Sequence, residues 1–357
     1  MAFLDFLFHK KEGSVIGIDI GSSSLKVVQL RKQGGKAILE TYGELALGPY
    51  SGGEIGQATN LPPEKVAEML KDLLRESKVT TTNAGVSISF ARSLLSLVEL
   101  PYRKDPEEQK TIIQLEARKY IPVPLSEVQL DWFVVPDREP AGNRGEQEKS
   151  SVLIVAVHND ELLRLQTIVT GSALAASFYE IEIFSIIRSA VDEPVKPVLV
   201  FDIGAASTRM YVVEHGVASL SHSVSVGSQD ITRAIAVSSG VSLSRAEAIK
   251  REEGLSGGSV QSNLEIVFSR IFSEARRVLI QYETSHTKPV VSIVITGGGG
   301  VTKSLAAYAK KTFPIEVRIA DPFAKIEAPA FMRPVLEEIG PEFSVAIGLA
   351  LRKLEEV

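Results

Sequence analysis

Two hydrophobic periods alternate along the chain, and their order predicts most of its elements. Residues 15–20 (VIGIDI) and 25–30 (LKVVQL) are short apolar, β-branched runs separated by Gly21-Ser-Ser-Ser24, a pattern that predicts a hairpin. A further β-like run over 36–47 follows the Gly34-Gly35 turn. Pro62-Pro63 then opens a stretch in which Val66, Met69, Leu70, Leu73 and Leu74 recur at helical spacing, predicting a helix over 64–77. Residues 84–90 return to strand, so the first segment reads β-β-β-α-β.

From about 91 to 177 the pattern changes. Asp105-Pro106 supplies a cap and a first helical position, and the helix is expected to run to Ile121, where Pro122 stops it. Leu130–Val135 reads as a strand, 137–150 as a polar surface loop, Val152–Val157 as an apolar strand, and Asp160 starts another helix. Together these make a small α+β insert. A second hairpin signal, 198–203 (VLVFDI) and 209–213 (RMYVV), surrounds Gly204. Helices are expected near 228–238, 244–253 and 262–284, a buried strand at 290–295, a turn at Gly297–Gly300, and helices at 302–312 and 342–355.

Length and composition sharpen this outline. At 357 residues the chain exceeds what one core organises, so two lobes are expected. Hydrophobic residues at 44% and charged residues at 23% suit a soluble globular protein. A net charge of −5 without a Lys/Arg block argues against nucleic acid as the main partner. With no cysteine there is no disulfide framework and no thiolate metal site, which suits a reducing compartment. His9, His158, His215, His222 and His286 are too scattered to bind zinc or iron. Met1–Lys11 places Phe3, Leu4, Leu7 and Phe8 on one helical face before a basic stop. It is shorter than the roughly 20 apolar residues a spanning helix needs. The expectation is a segment packed on its own domain, with contact to a membrane surface or partner as the sharper alternative.

The informative feature is an internal repeat. Gly17–Leu30 reads GIDIGSSSLKVVQL and Val200–Val213 reads VFDIGAASTRMYVV; over the eight positions from Asp19 and Asp202 four residues are identical, and Lys26 matches Arg209 in charge. Such self-similarity at half the chain length suggests duplicated lobes. A carboxylate at the end of a buried strand is costly unless it meets a cation or donors, and Mg²⁺ would meet it. Gly21 and Gly204, two residues on, permit a turn whose backbone N–H groups approach an anion directly. Ser22, Ser23 and Ser24 leave room and add hydroxyls, as Thr208 does in the second copy, whereas Ala205 and Ala206 leave that loop only its backbone. Lys26 brings a point charge suited to phosphate oxygens. Two such hairpins facing one another would hold a polyphosphate from both sides.

A third element supports this reading: the strand ending at Thr296 runs into Gly297, Gly298, Gly299 and Gly300 and then a helix, suited to close approach of a ligand. Gly297–Ser304 nearly spells a P-loop, but Thr302 stands at the essential glycine, and that reading leaves the Asp19/Asp202 repeat unexplained. Substitution of Lys303 separates the two.

These motifs resemble the two phosphate loops and the adenosine motif of actin, Hsp70 chaperones and sugar kinases. Asp19-Ile-Gly21-Ser22 with Lys26 resembles the first loop, Asp202-Ile-Gly204 through Thr208 the second, and Ile295-Thr-Gly-Gly-Gly299 the adenosine motif, in the superfamily's order. Along nearly its whole length the chain resembles more closely the PilM family of type IV pilus assembly proteins, relatives of the division protein FtsA. The residues that carry this are F-L-x-x-L-F-x-K-K at the N-terminus, GIDIGSSSLKVVQL, ELP at Glu99–Pro101, EARKYIPVP at Glu116–Pro124, VQLDWFVV at Val128–Val135, SVGSQDITRAIA at Ser225–Ala236, RAEAIKR at Arg245–Arg251 and VAIGLALR at Val345–Arg352.

The resemblance implies an α/β, actin-like (ribonuclease H-like) two-lobed fold. The first lobe would comprise 1–90 and 178–197 with an inserted subdomain 1C at 91–177, and the second 198–236 and 289–357 with a subdomain 2B at 237–288. It further implies ATP and Mg²⁺ between the lobes, with at most slow turnover: Asp19 holding metal through water, Asp202 ordering water or metal from the other side, and Gly227, Glu247 and Lys250 bordering ribose and purine. On helical spacing alone Glu247 and Lys250 equally make an exposed charge pair. The hydrolytic acid falls to Glu180 or Glu182, both beside the helix that connects the lobes. The implied partner is the cytoplasmic N-terminal tail of the membrane protein PilN, bound near the insert, where apolar side chains of 105–121 and 130–135 would line a groove or pack on one another. The location would be cytoplasmic, at the inner membrane. A small-molecule kinase or an FtsA-like filament protein on the same fold is the alternative.

Overall fold

The computed structural model describes residues 13–101, 103, 105–135, 149–192, 195–286 and 288–355. Met1–Lys11 and almost all of the expected polar loop at 137–150 lie outside them. The chain runs β1 (Val15–Ile20), β2 (Ser24–Gln33), β3 (Lys36–Ala46), α1 (Pro63–Glu76) and β4 (Asn83–Ile88), the expected β-β-β-α-β order. It continues through β5 (Ser93–Pro101), α2 (Pro106–Ala117), β6 (Val128–Val134), β7 (Lys149–His158) and α3 (Asn159–Gly171) to β8 (Ala175–Ile181) and α4 (Glu182–Ala190). The second half holds β9 (Val198–Ile203), β10 (Thr208–Glu214), β11 (Val217–Val224), α5 (Ser228–Ser239), α6 (Leu243–Glu253), α7 (Gln261–His286), β12 (Ser292–Thr296), α8 (Leu305–Thr312), β13 (Glu316–Ile319), α9 (Arg333–Ile339) and α10 (Ser344–Glu355).

The duplication seen in sequence is also a duplication of topology. One five-stranded sheet has the order β3-β2-β1-β4-β8 and the other β11-β10-β9-β12-β13. In each, the first three strands form an antiparallel meander, the fourth pairs parallel with its first strand and the fifth pairs parallel with the fourth. Both acidic residues therefore end the central strand of a sheet, at the carboxyl edge where open α/β sheets bind ligands. Asp19 lies opposite Lys26 and Asp202 opposite Arg209, so each hairpin sets its acid beside its cation. We call the layers built on the two sheets the first and second lobes.

A third sheet, β5-β7-β6, forms the body of the insert. Helix α2 covers one of its faces, with Ile113 and Ala117 buried against Val98, Leu100, Val152 and Ile154. Asp105 caps α2 by accepting from the Glu107 amide at 2.8 Å. The helix ends at Ala117 rather than Ile121, because the amides of Tyr120 and Ile121 both turn back to the Ala117 carbonyl. The expected helix at 302–312 starts later, at Leu305, since Ser304 takes a left-handed conformation (φ 63°) that closes the glycine turn. Strands β5, β8, β11 and β13 were not expected from the sequence pattern.

The C-terminal helix belongs to the first lobe by packing, whereas the sequence outline put 289–357 in the second. Ala346, Ile347 and Ala350 of α10 share a core with Val15, Val28 and Leu30, and Val345 and Leu349 pack with Ile186 of α4. Two glycines make this approach possible: a Cβ on Gly17 would stand 1.9 Å from the Ala346 carbonyl, and one on Gly348 would stand 2.1 Å from that of Ser185. The α10 helix thereby braces β1, and with it Asp19, from behind.

Candidate functional site

The carboxyl edges of the two sheets enclose a cavity of about 150 Å³. Fourteen of the residues proposed from sequence line it: Asp19, Gly21, Ser22, Ser23, Ser24 and Lys26 from the first hairpin, Asp202, Gly204, Ala205 and Ala206 from the second, Gly297 and Gly298 after β12, Glu182 at the start of α4, and Glu247 of α6. The other five stand elsewhere. Thr208 is buried and donates to the Val226 carbonyl at 2.8 Å. A Cβ on Gly227 would meet the Ala205 carbonyl at 2.3 Å, so this glycine lets the second loop seat on α5. The first amides of α5 are accordingly used by protein, Ser228 N donating to Gly204 O at 2.9 Å and Gln229 N to Ala205 O at 3.0 Å. Gly299 packs on Ile203, and Lys250 lies beneath the lining, within 2.6 Å of Glu247 Oε2.

The structure separates the two candidate acids. Glu180 faces away from the cavity, held by Ser185, Arg188 and Arg352 with donors at 2.5–3.0 Å. Glu182, two residues on and past the strand-to-helix junction, turns into the cavity. Its Oε1 accepts from the Phe90 amide at 2.7 Å and pairs with Arg209 at 2.8 Å. Burial first, then the Asp202 and Asp19 charges, push its pKa up to about 7 against the pull of Arg209.

The two hairpins differ in how their acids are satisfied. Asp19 is buried, and its only hydrogen bond among the described residues comes from the Ser87 hydroxyl at 3.2 Å. Burial raises its pKa, partly opposed by the charge of Lys26. Lys26 itself is held by Ser24 Oγ (2.6 Å) and Glu44 (3.1 Å). Asp202 instead already has a cation, Arg209, at 3.1 Å. A metal fits the Asp19 side, where a buried carboxylate has no ion pair among the described residues, better than the Asp202 side. No cluster of three or more His, Cys, Asp or Glu with metal-binding geometry occurs among those residues.

A second ionic group, which the sequence reading did not foresee, lines the cavity. Arg251 of α6 bridges Glu247 (3.0 Å) and Glu342 (3.4 Å), and Glu342 stands with Glu44 and Lys26. Burial raises the Glu342 pKa to about 7 with help from Glu44. Glu247 is held below the usual carboxylate range because Lys250, Thr232 and Arg251 outweigh its burial. Altogether six carboxylates (Asp19, Glu44, Glu182, Asp202, Glu247, Glu342) and three cations (Lys26, Arg209, Arg251) line the cavity. A bare polyanion would be repelled by this surplus, whereas one carrying a divalent cation would not.

Several contacts tie the lobes together over this space. The segment after β3 crosses to the second lobe, where Ala58 N donates to Gln229 Oε1 at 3.2 Å, the Glu54 carboxylate accepts from Ser244 N, and Gly56 packs on Glu247. A cavity of about 150 Å³ is well under the roughly 300–1,000 Å³ of small-molecule sites, so a nucleotide would require the lobes to part. Lys303, the near-P-loop lysine, does not line the cavity and donates to the Glu252 carbonyl at 2.9 Å.

A family model described as type IV pilus assembly protein PilM matches residues 17–354. The chain belongs to the PilM family. A solved PilM–PilN type IV pilus biogenesis complex is similar over 96% of this chain and 99% of that one, at 26% identity and a TM-score of 0.81. The cell division protein FtsA of Neisseria meningitidis serogroup B is 24% identical over 355 residues, covering 87% of this chain and 84% of its own length. More distant folds include the ethanolamine utilization protein EutJ of Carboxydothermus hydrogenoformans (TM-score 0.56, 13% identity, 95% and 89% coverage) and ADP-bound MreB5 of Spiroplasma citri (TM-score 0.56, 12% identity, 97% of each chain). The fold of this PilM family member is thus actin-like, and the family places it among type IV pilus assembly scaffolds. No helix among the described residues is long and apolar enough to cross a membrane.

Proposed function

We propose that this scaffold binds ATP with Mg²⁺ between its lobes and docks the N-terminal cytoplasmic tail of a PilN-like membrane protein on its insert, at the cytoplasmic face of the inner membrane. One observation carries the nucleotide reading: the two matched Asp-Ile-Gly hairpins, 183 residues apart, line a single cavity. In this reading Asp19 orients the metal's water shell, the amides of Ser22–Ser23 and Ala205–Ser207 and the Lys26 ammonium hold phosphate oxygens, while the Gly21 and Gly204 amides close the turns by donating to Ser24 O and Ser207 O, and Glu247 borders the ribose. Metal would supply the positive charge that the acidic lining requires. Closure of the lobes follows nucleotide only as far as the nucleotide prefers the closed form, and the Ala58–Gln229 and Arg251–Glu342 contacts are among those that opening would break.

For the tail, the supporting feature is an apolar groove of about 650 Å³ beside the insert sheet, walled by Trp132 and Phe133 of β6, Leu153 and Val155 of β7, and Tyr179 and Phe184 of the first lobe. Phe133 is 52% exposed there. Of the two segments considered from sequence, β6 borders this groove and α2 packs on the opposite face of the sheet. The test has two arms. Calorimetry should find Mg²⁺-dependent ATP binding in the wild type and none in a folded Asp19→Ala variant; unchanged affinity in the variant would refute the metal assignment. Pull-down of a PilN-like tail should fail with Phe133→Asp, and capture of that tail equal to wild type would exclude this groove.

A further inference from the structure

We infer that Arg209 reads the terminal phosphate of the bound nucleotide, so that the cleft distinguishes a nucleoside triphosphate from a diphosphate. This rests on the nucleotide reading above. Arg209 is the second hairpin's counterpart of Lys26, yet the two cations are used differently. The Lys26 ammonium is engaged by Glu44 and Ser24, which leaves it one donor for a ligand. The guanidinium of Arg209 is clamped along one edge only. Its Nη1 serves both Glu182 Oε1 at 2.8 Å and Asp202 Oδ2 at 3.1 Å, while Nη2 makes one long bond, 3.5 Å, to Ser89 Oγ. The side chain is 15% exposed and lines the cavity. A five-donor fork with one edge fixed and the other nearly unspent is ready to donate to a phosphate.

Position supplies the selectivity. Two ionic groups line the cavity, one around Arg251, Glu247 and Glu342 and the other around Arg209, Glu182 and Asp202. In the reading proposed above, with the ribose by Glu247, the Arg209 group is left to the far end of the phosphate chain. Turning Arg209 toward that phosphate would weaken its hold on Glu182 and Asp202, and β10 carries one further buried donor. Tyr211, two residues along the same strand face, is fully buried, and its hydroxyl has no hydrogen-bond partner among the described residues. Burial first, then the Asp202 and Glu182 charges, raise its pKa well above the usual phenol value. Because Glu182 belongs to the first lobe and Arg209 to the second, the terminal phosphate would also enter the ion pair that joins the lobes at the base of the cleft.

The test compares the affinities of ADP and a non-hydrolysable ATP analogue, both with Mg²⁺, for the wild type, Arg209→Lys and the charge-balanced double variant Arg209→Gln/Glu182→Gln. The double variant leaves one carboxylate fewer to satisfy and guards against loss of folding, which circular dichroism would report. In the wild type the triphosphate should bind roughly tenfold or more tighter than ADP, the worth of a charge-assisted bond. Both variants should bring the ratio to within about threefold by weakening the triphosphate, with ADP affinity little changed. An unchanged ratio in the folded variants, or a wild type without preference, would overturn the assignment while leaving the nucleotide site intact. A wild type that binds neither nucleotide would overturn both.

Discussion

Glu342 offers a test of the cleft that requires no ligand. It lies in the short turn before α10, buried, and faces Glu44 on β3, Lys26 on β2, and Arg251 and Lys250 on α6. Its pKa stands near 7 in the folded protein against an ordinary 4.5. The folded chain therefore holds a proton that the unfolded chain releases. Stability from this group is complete below pH 4.5 and falls as pH rises through 7, by about 1.4 kcal/mol per pH unit within the window. Over the 2.5-unit interval the loss is about 3 kcal/mol. Glu182, also raised to about 7, loses stability over the same window, and Asp19 shifts in the same direction. The lowered carboxylates Glu44 and Glu247 act with opposite sign, but below their ordinary values and so outside this window.

Glu342→Gln keeps the shape and a donor toward Glu44 while removing the ionisation. The variant should match wild type at pH 5 within about 0.5 kcal/mol and exceed it by up to about 3 kcal/mol at pH 8. Urea denaturation followed by circular dichroism at pH 5, 6, 7 and 8 measures this as a diverging pair of midpoints. Midpoints that run parallel across the range would show that Glu342 is ionised in the folded cleft, and the account of its carboxyl as held protonated by burial beside Glu44 would be wrong.

Three further outcomes follow from the same geometry. Asp202→Asn should leave the Mg²⁺ dependence of nucleotide binding within about threefold of wild type, because Arg209 and not a metal already neutralises that carboxylate; a loss as complete as that of Asp19→Ala, measured by Mg²⁺ titration, would restore a two-carboxylate metal site. Lys303→Ala should leave ATP affinity unchanged in calorimetry, since its ammonium is spent on the Glu252 carbonyl, and loss of binding would revive the P-loop alternative. Gly17→Ala should cost about 3 kcal/mol in urea denaturation, because its Cβ would meet the Ala346 carbonyl at 1.9 Å and force α10 off β1; a cost below 1 kcal/mol would mean that α10 is loosely seated.

The hairpins were legible in sequence because their signal is local: β-branched runs, a glycine turn and a second copy to compare. What was missed needed register or long-range packing. Lys26 and Glu44 are cross-strand partners, yet counting back from the Gly34-Gly35 turn, where Gln33 pairs with Lys36, sets Lys26 opposite Gly43. An irregularity between Gln29 and Leu30 shifts the ladder by one residue and brings Glu44 into place. Glu342 and Arg251 meet only because α10 returns to the first lobe, which no local pattern announces. Choosing between Glu180 and Glu182 was likewise beyond the sequence, since the strand-to-helix junction between them decides which side chain turns toward the cavity.

The repeat makes the two hairpins alike in backbone, and the difference between them lies in the reach of one side chain. On each, the cation sits directly across the ladder from the acid. The lysine of the first hairpin engages Glu44 and Ser24, leaving Asp19 with a hydroxyl; the arginine of the second serves Asp202 and Glu182 at once. An ammonium is a compact point charge, whereas a guanidinium can bridge two carboxylates and still present donors elsewhere. The same scaffold position thus leaves one acid in need of a cation and gives the other one from its own hairpin. An asymmetric cleft, with a metal-seeking side and an arginine-bridged side, is the electrostatic consequence of Lys26 and Arg209 occupying equivalent places.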